Sequence, residues 1–273
     1  MMDNKNANEL IMLGTGNAIV TKCYNTCFVL RSGTTRLLVD AGGGNGVLAQ
    51  LEKVGVSVDE LSAMYLTHAH TDHVLGAAWI VRRVASGLAK GAREGIFPIY
   101  GHERVLSVLR TICELTLSKK DRGWMEKGIS FVEVKDKDRL TVGDIRMECF
   151  DILSTKEKQF GFRATLPDGT VVACLGDEPY NVANRGYVEG ADWLMSEAFC
   201  LYRDREIFKP YEKHHSTAAE AGRLAAELGV KRLLLYHTED QTLATRKRAY
   251  AEEAAASFTG EIFVPDDLER IRL

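Results

Sequence analysis

A cluster of histidines directly after an apolar stretch most constrains what this 273-residue chain can fold into. The apolar stretch covers residues 63–66, and the sequence THAHTDH follows it at residues 67–73. Three of the seven histidines of the chain therefore fall within six residues. A short apolar run of this kind is typical of a buried strand. The sequence thus predicts a buried strand that leads into a loop rich in imidazole groups.

The spacing within this cluster suits metal binding, because histidine is the commonest metal ligand in proteins. His68 and His70 are two residues apart and should project to the same side of an extended chain. Asp72 and His73 follow after the chain turns, so they can point at a neighbouring position. One short loop can therefore offer ligands to two metal ions a few ångströms apart. An exposed loop that merely happens to contain histidines is the less favoured interpretation.

The rest of the pattern favours an α/β fold. Short strand-like stretches and stretches with helical spacing alternate along the chain. Between two of the strand-like stretches, residues 160–166 and 171–175, the sequence PDG predicts a hairpin turn. Strands followed by helices, twice over, predict a four-layer αβ/βα sandwich, in which two mixed β-sheets lie back to back and are flanked by helices. Because no repeat or linker interrupts the chain, we expect one domain over residues 1–273.

Composition excludes several classes of protein. A hydrophobic fraction of 45% and a charged fraction of 27% exclude a disordered or collagen-like chain. No apolar run approaches the ~18–20 residues of a membrane span, and the polar residues 1–8 carry no secretory signal, so we expect a cytoplasmic protein. The net charge of −3 disfavours strong binding to bulk nucleic acid. The six cysteines form no C-x-x-C pair and are expected to be reduced.

The pattern H-x-H-x-D-H after an apolar strand resembles the signature of the metallo-β-lactamase superfamily at every position. The similarity extends in order over residues 9–240 and is greatest to the ribonuclease Z-like branch. At the start it is carried by LGTG at residues 13–16 and LVDAG at residues 38–42. Near the end it is carried by HSTA at residues 215–218 and LYH at residues 235–237. The resemblance implies the metallo-β-lactamase fold, bound divalent metal and hydrolytic chemistry.

The resemblance also implies which side chains hold metal. Asp177, which follows Leu-Gly, matches a carboxylate that bridges both ions in the family, and two oxygens suit a bridge of about 3.5–4 Å. Asp40 matches an aspartate that supports the ligand loop without binding metal. One or two divalent ions are expected, with zinc first and manganese or iron as alternatives. The implied first site comprises His68, His70 and Asp177, and the implied second site comprises Asp72, His73, Asp177 and His237.

One departure from the family pattern concerns the first site. The family supplies a third histidine to it, from a strand end shortly before a Gly-aromatic pair. The matching position here is Leu153 by strand end or Thr155 by spacing to Gly161, and residues 103–213 contain no histidine. Neither side chain is a good ligand for a divalent ion. The first site is therefore expected to be weak, completed by water, or completed by a residue that the sequence does not identify.

The resemblance further implies residues for proton transfer. The sequence SEAF at residues 196–199 is similar to a segment of the branch in which a glutamate orients a histidine, and His215 matches that histidine. Glu197 would then fix the tautomer of His215 and favour its charged form, and His215 would protonate the leaving alkoxide. Asp72 could accept a proton from the attacking water as well as hold metal. The expected catalytic residues are Asp72, Glu197 and His215.

Together these features predict a metal-dependent hydrolase of the phosphodiesterase type. The best-known activity of the resembled branch is 3′ processing of transfer RNA, for which its enzymes insert a long arm between the Gly-aromatic pair and the bridging aspartate. Here that interval, residues 162–176, holds only two strands and a turn. We therefore expect a small phosphodiester, such as a cyclic nucleotide, or a short nucleic acid as substrate.

Three alternatives remain at this level. The chain could be a transfer-RNA 3′-processing endonuclease, or it could hydrolyse a carbonyl ester, lactone or thioester on the same metal ions. It could also be a degenerate metal-binding protein without catalysis, since one histidine of the family pattern is missing. No membrane contact is expected, and a homodimer is left open.

Overall fold

The computed structural model describes residues 8–273, in which two seven-stranded sheets pack face to face. Residues 1–7, on which the expected lack of a secretory signal partly rests, lie outside the described residues. The first sheet contains β1 (Asn8–Gly14), β2 (Cys27–Ser32), β3 (Thr35–Val39), β4 (Ala63–Tyr65), β5 (Phe97–Gly101), β6 (Ile129–Glu133) and β14 (Arg270–Arg272). The second contains β7 (Arg139–Val142), β8 (Ile145–Asp151), β9 (Phe160–Thr165), β10 (Val171–Cys174), β11 (Trp193–Glu197), β12 (Arg232–Tyr236) and β13 (Glu261–Phe263).

Both sheets are mixed. In the first sheet the order is β14-β1-β2-β3-β4-β5-β6, with antiparallel pairs from β14 to β3 and parallel pairs from β3 to β6. The second sheet follows the order β13-β12-β11-β10-β9-β8-β7, parallel from β13 to β10 and antiparallel from β10 to β7. The predicted hairpin is confirmed, because β9 and β10 pair across the PDG turn and Gly169 adopts the positive φ of 90°.

Helices cover the outer face of each sheet. Apolar side chains of the first four helices pack on the first sheet, and those of the seventh and eighth pack on the second. The predicted four-layer sandwich is therefore confirmed. The helices are α1 (Gly46–Lys53), α2 (Thr71–Ala89), α3 (Glu103–Thr116), α4 (Lys119–Gly128), α5 (Arg185–Val188), α6 (Arg205–Phe208), α7 (Ala218–Glu227) and α8 (Leu243–Ala255).

Strand β3 shows why the central strands are apolar on both faces. Leu38 faces the helical layer, whereas Leu37 and Val39 face the second sheet. A strand covered on both sides needs apolar residues at consecutive positions, so it lacks the alternation of a half-exposed strand. Within residues 8–273, no helix is long and apolar enough to cross a membrane.

Candidate metal centre

The candidate centre forms where strands of both sheets end at one edge of the sandwich. Three of these strands end in residues with a positive φ: Asp40 after β3 (54°), Gly176 after β10 (77°) and His237 after β12 (58°). This conformation is uncommon for residues other than glycine and costs energy, so it is found mainly where the surrounding structure enforces it. The turns bring Asp40, Asp177 and His237 towards the histidine cluster at residues 67–73, here called the histidine loop.

The histidine loop is held by close packing beneath it. Strand β4 ends at Tyr65, earlier than the sequence predicted, and α2 begins at Thr71, inside the histidine cluster. A Cβ atom at Gly76 would lie 1.9 Å from the carbonyl oxygen of Ala41, so only glycine permits this approach of α2 to the end of β3. The backbone N–H of Ala41 also donates to the carbonyl of His73 at 3.0 Å. The first turn of α2 is therefore fixed against the first sheet.

Four side chains converge at the second site. Oδ2 of Asp72 lies 3.3 Å from Nε2 of His73 and 3.4 Å from Nε2 of His237. Oδ2 of Asp177 lies 3.6 Å and 3.5 Å from the same two nitrogens. All four residues are buried. Two imidazole nitrogens and two carboxylate oxygens in such a cluster are a donor set that fits a divalent metal ion.

The first site has three donors. Nε2 of His68 lies 2.9 Å from Nδ1 of His70 and 3.6 Å from Oδ2 of Asp177. His70 is half-buried, so this site is nearer to solvent than the second. Across the described part of the chain, no fourth histidine, cysteine or carboxylate joins this group. The donors fit a metal ion with a place left for water or substrate.

One hydrogen-bond network orients one histidine of each site. Oδ2 of Asp40 accepts from Nδ1 of His73 at 2.7 Å and from the hydroxyl of Thr67 at 2.7 Å. The hydroxyl oxygen of Thr67 lies 2.9 Å from Nδ1 of His68 and can accept a proton from it, because the hydroxyl proton is donated to Asp40. When Nδ1 carries the proton, Nε2 keeps a free lone pair for a metal ion. Asp40 therefore supports both sites without being one of their donors.

The charges of the centre also suit metal binding. Burial alone would raise the pKa of Asp177, but the neighbouring histidines, His68 foremost, outweigh it and hold this pKa well below its usual range. Burial holds the pKa of His68 well below its usual range, which favours the neutral imidazole that a metal ion needs. Burial would also lower the pKa of His73, yet Asp72 and Asp40 raise it well above its usual range. Metal uptake at the second site should therefore release a proton from His73.

The two positions considered for the missing histidine lie outside the first site. Leu153 is half exposed, and Thr155 is exposed, with its hydroxyl 3.0 Å from Nδ1 of His214. The carboxylate of Glu178 accepts hydrogen bonds from the hydroxyl of Ser154 and the backbone N–H of Thr155, which restrain this loop.

Gln159 is a residue of the centre that sequence reasoning missed. It is 1% exposed and precedes Phe160 at the start of β9, and its Nε2 donates to Oδ1 of Asp177 at 2.6 Å. One feature of the sequence could have identified Gln159. It is a polar residue beside a buried aromatic strand, in the segment from which the family supplies its third histidine.

Glu197 and His215 lie together beside the second site. Oε2 of Glu197 is 3.7 Å from Nδ1 of His215, which is a close approach and not a hydrogen bond. The carboxylate instead accepts from the backbone N–H groups of Phe199 and Ser216. The ring of His215 stacks on that of Phe199 at 4.6 Å and lies 5.1 Å from that of His237.

The protonation of this pair differs from the sequence-based expectation of a charged His215. Burial, with a contribution from His237, lowers the pKa of His215 to about 3. Burial also raises the pKa of Glu197 well above its usual range, although Ser216 opposes this by hydrogen bonding. Without a bound anion, His215 is therefore neutral. An anion bound nearby would favour its protonated form.

Comparisons with known proteins agree with this architecture. A family model described as "Anti-Pycsar protein Apyc1" matches residues 8–259. The chain is 27% identical over 312 residues to ribonuclease Z of Thermobifida fusca, across 96% of this chain and 94% of that protein. It is 29% identical over 238 residues to "Probable metallo-hydrolase YhfI" of Bacillus subtilis, across 86% of this chain and 87% of that protein.

A solved structure gives the same result for the fold. The crystal structure of the metallo-beta-lactamase fold protein YhfI from Bacillus subtilis matches with a TM-score of 0.78 at 23% identity, over 98% of this chain and 100% of that chain. The expected metallo-β-lactamase fold, the similarity to ribonuclease Z and the class of metallo-hydrolase are thereby confirmed.

Proposed function

The chain belongs to the family described as "Anti-Pycsar protein Apyc1", and we propose that it is a metal-dependent phosphodiesterase that hydrolyses a small phosphodiester, such as a cyclic nucleotide, or a short nucleic acid. One observation carries the proposal: a single oxygen, Oδ2 of Asp177, lies 3.5–3.6 Å from Nε2 of His68, His73 and His237. An oxygen shared in this way suits two divalent ions a few ångströms apart, which is the arrangement of many phosphoryl-transfer centres.

The proposed ion is zinc, because imidazole and carboxylate donors in small numbers suit it, and manganese or iron is the alternative. Bound at the two sites, divalent ions would supply an activated water and neutralise charge on the phosphoryl oxygens. The proposed ligands are His68, His70, Asp72, His73, Asp177 and His237.

The chain's own residues would handle the protons. Asp72 is proposed to accept a proton from the attacking water as well as to hold metal, and its Oδ2 lies between the imidazoles of His73 and His237. The ring of His215 lies 5.1 Å from that of His237 in the second site, and His215 would donate a proton to the leaving oxygen. Glu197 is proposed to limit the orientation of His215 through their 3.7 Å approach.

Cavities beside His215 support a small substrate. Two adjoining cavities of about 280 and 290 Å³ share Pro179, Tyr180, Tyr211 and His215 in their walls. Each lies close to the lower end of the ~300–1,000 Å³ that is typical of sites for small molecules. The two tyrosines offer aromatic surface on which a planar group such as a nucleobase could stack.

Transfer-RNA processing is the alternative that the names of several relatives favour. Against it stands the hairpin of β9 and β10, which are joined by five residues, 166–170, in place of the long arm expected of such enzymes. A hairpin this short provides no extended surface for a folded RNA.

The test is hydrolysis by the full-length chain, stripped of metal and reloaded with Zn²⁺ or Mn²⁺. A chromogenic bis-aryl phosphodiester, an aryl carboxylic ester, a lactone and a precursor transfer RNA are compared. We expect metal-dependent cleavage of the phosphodiester and little of the others. Metal uptake without any hydrolysis would instead indicate a degenerate binding protein, and cleavage of the ester or lactone alone would indicate carbonyl chemistry.

A further inference from the structure

Gln159 lies inside the centre without a role in the proposed reaction. Taking the proposed metal centre as given, we infer that Gln159 is a positioning residue whose amide N–H holds one oxygen of Asp177, so that the other oxygen stays turned towards both metal sites. This restraint would partly compensate for the histidine that the first site lacks.

The hydrogen bonds of Asp177 divide its two oxygens. Oδ1 accepts from Nε2 of Gln159 at 2.6 Å, whereas Oδ2 faces the imidazole nitrogens of both sites. A hydrogen bond to a charged acceptor is stronger than one between neutral groups. Without this donor the carboxylate could rotate about its Cβ–Cγ bond, and the bridging oxygen would no longer have a fixed place.

Gln159 is not itself placed as a metal ligand. Its Nε2 lies 3.0 Å from Nδ1 of His68, whereas Nε2 of the same imidazole faces His70 at 2.9 Å. The amide therefore stands behind the ring of His68, on the side away from the first site. It contacts two donors of that site without reaching the position that an ion would take.

Backbone hydrogen bonds hold the chain at Gln159, and they position its side-chain amide before any metal binds. The carbonyl of Gln159 accepts from the N–H of Ile152 at 3.1 Å, and the next N–H, of Phe160, donates to Thr67 at 3.0 Å. A Cβ atom at Gly176 would lie 2.7 Å from Nε2 of Gln159, so the glycine leaves the space that the amide occupies.

The amide oxygen supports the same interpretation. Oε1 of Gln159 is buried and has no hydrogen-bond partner among residues 8–273. A buried, unpaired carbonyl costs free energy, and an apolar side chain of similar size would avoid that cost. The hydrogen bond from the side-chain N–H of Gln159 to Asp177 is the contribution that offsets this cost.

Loss of this bond should affect the two sites unequally. The first site has two ligands of its own besides Asp177, whereas the second has three. Displacement of the shared carboxylate therefore removes a larger part of the donor set at the first site.

The experiment measures zinc affinity directly. The metal-stripped full-length chain is titrated with Zn²⁺ against a chromophoric chelator, which gives the affinities of the first and second equivalents bound. Gln159→Leu, which keeps the size and removes the donor, is compared with the wild type. The control is Gln50→Leu, because Gln50 is also buried and donates to the carbonyl of Leu13 at 2.7 Å, away from the centre. Gln159→Met replaces the leucine variant if that variant does not fold.

For Gln159→Leu we expect the weaker equivalent to lose about 10–100-fold in affinity, as is usual for groups that orient metal ligands. The tighter equivalent should lose less, and Gln50→Leu should match the wild type. Equal losses at both equivalents, or no loss at either, would overturn the role of Gln159 while leaving the proposed function intact. Failure of the wild type to bind either Zn²⁺ or Mn²⁺ would instead contradict the proposed function.

Discussion

The two candidate metal sites share Asp177 but differ in the number of their donors and in their burial. The second site is buried and takes Asp72 and His73 from the histidine loop and His237 from the second sheet. The first site has only His68 and His70 besides the shared carboxylate, and His70 is half-buried. An ion at the second site would be enclosed by protein, whereas an ion at the first would keep open positions.

This difference suggests that the ions at the two sites have different roles in the reaction. A closed donor set holds an ion tightly, whereas a site with open positions can bind water or a substrate oxygen. The second site would then hold its ion permanently, and the first would fill weakly and take part in substrate binding. The loss of the third histidine would make the centre asymmetric without disabling it.

The largest effect is expected from a change at Asp177, which should abolish metal binding at both sites. Asp177→Ala removes the oxygen that both sites share, so bound metal and phosphodiester hydrolysis should both fall to background. Elemental analysis by mass spectrometry and the bis-aryl phosphodiester assay measure the two losses. Asp168→Ala, in the exposed hairpin turn, is the matched control and should behave as the wild type. A variant at Asp177 that retained one tight ion would show that the second site does not need the bridge.

A smaller effect should separate chemistry from metal. His215→Ala should leave both equivalents bound, because His215 is a donor of neither site. Hydrolysis of a substrate with a poor alkoxide leaving group should fall by about 10²–10⁴-fold, the usual value of positioned proton transfer. With a good phenolate leaving group the loss should be much smaller. Loss of metal in this variant would make His215 a ligand, and equal losses on both substrates would contradict its role as an acid.

Glu197→Gln should weaken the same step, since Glu197 would act through His215. The double variant of Glu197 and His215 should therefore be little worse than His215→Ala alone. Additive losses would show that the two residues act independently.

A still smaller effect is expected from a change at Asp40, which supports a histidine of each site and should therefore distinguish the two sites. Asp40→Asn keeps a side chain that tolerates the positive φ of Asp40 but removes one of the accepting oxygens. Asp40 contacts His73 directly and His68 only through Thr67. Zinc affinity should fall by about 10–100-fold at the second site and by less at the first. The same chelator titration measures this, and a greater loss at the weaker equivalent would contradict the assignment.

The smallest expected effect concerns the whole chain, which we propose is a single domain. Because the second site takes ligands from both sheets, the two halves should unfold in one thermal transition. Free Zn²⁺ at 100 times its dissociation constant should add about 2.7 kcal/mol to the free energy of unfolding. Differential scanning calorimetry measures both features. Two separate transitions, or stable fragments from limited proteolysis, would contradict the single domain.

The sequence predicted those parts of the centre that lie in contiguous motifs. The histidine loop, Asp177 after Leu-Gly and His237 after an apolar strand were all found in this way, and the structure brings them together. The sandwich could be predicted because its central strands are strongly apolar. Strand β7 was missed, since it is short and two of its four residues, Arg139 and Thr141, are exposed and polar.

Other features depend on contacts between residues that are distant in the sequence, and no local sequence pattern encodes such contacts. The role proposed for Gln159 follows from its contact with Asp177, 18 residues away, and from the space that Gly176 leaves. The positive φ of Asp40 and of His237 is imposed by the packing around the strand ends, since neither residue type demands it. The separation of Glu197 from His215 results from backbone N–H groups that compete for the carboxylate.

The asymmetry of the two sites is tested most directly by anomalous X-ray diffraction from crystals of the full-length chain. Metal-free crystals are soaked with Zn²⁺ at increasing concentrations, and data are collected on both sides of the zinc absorption edge. We predict a peak among Asp72, His73, Asp177 and His237 at the lowest concentration, and a peak among His68, His70 and Asp177 only at higher ones. Equal peaks at every concentration, or earlier filling of the first site, would contradict the account.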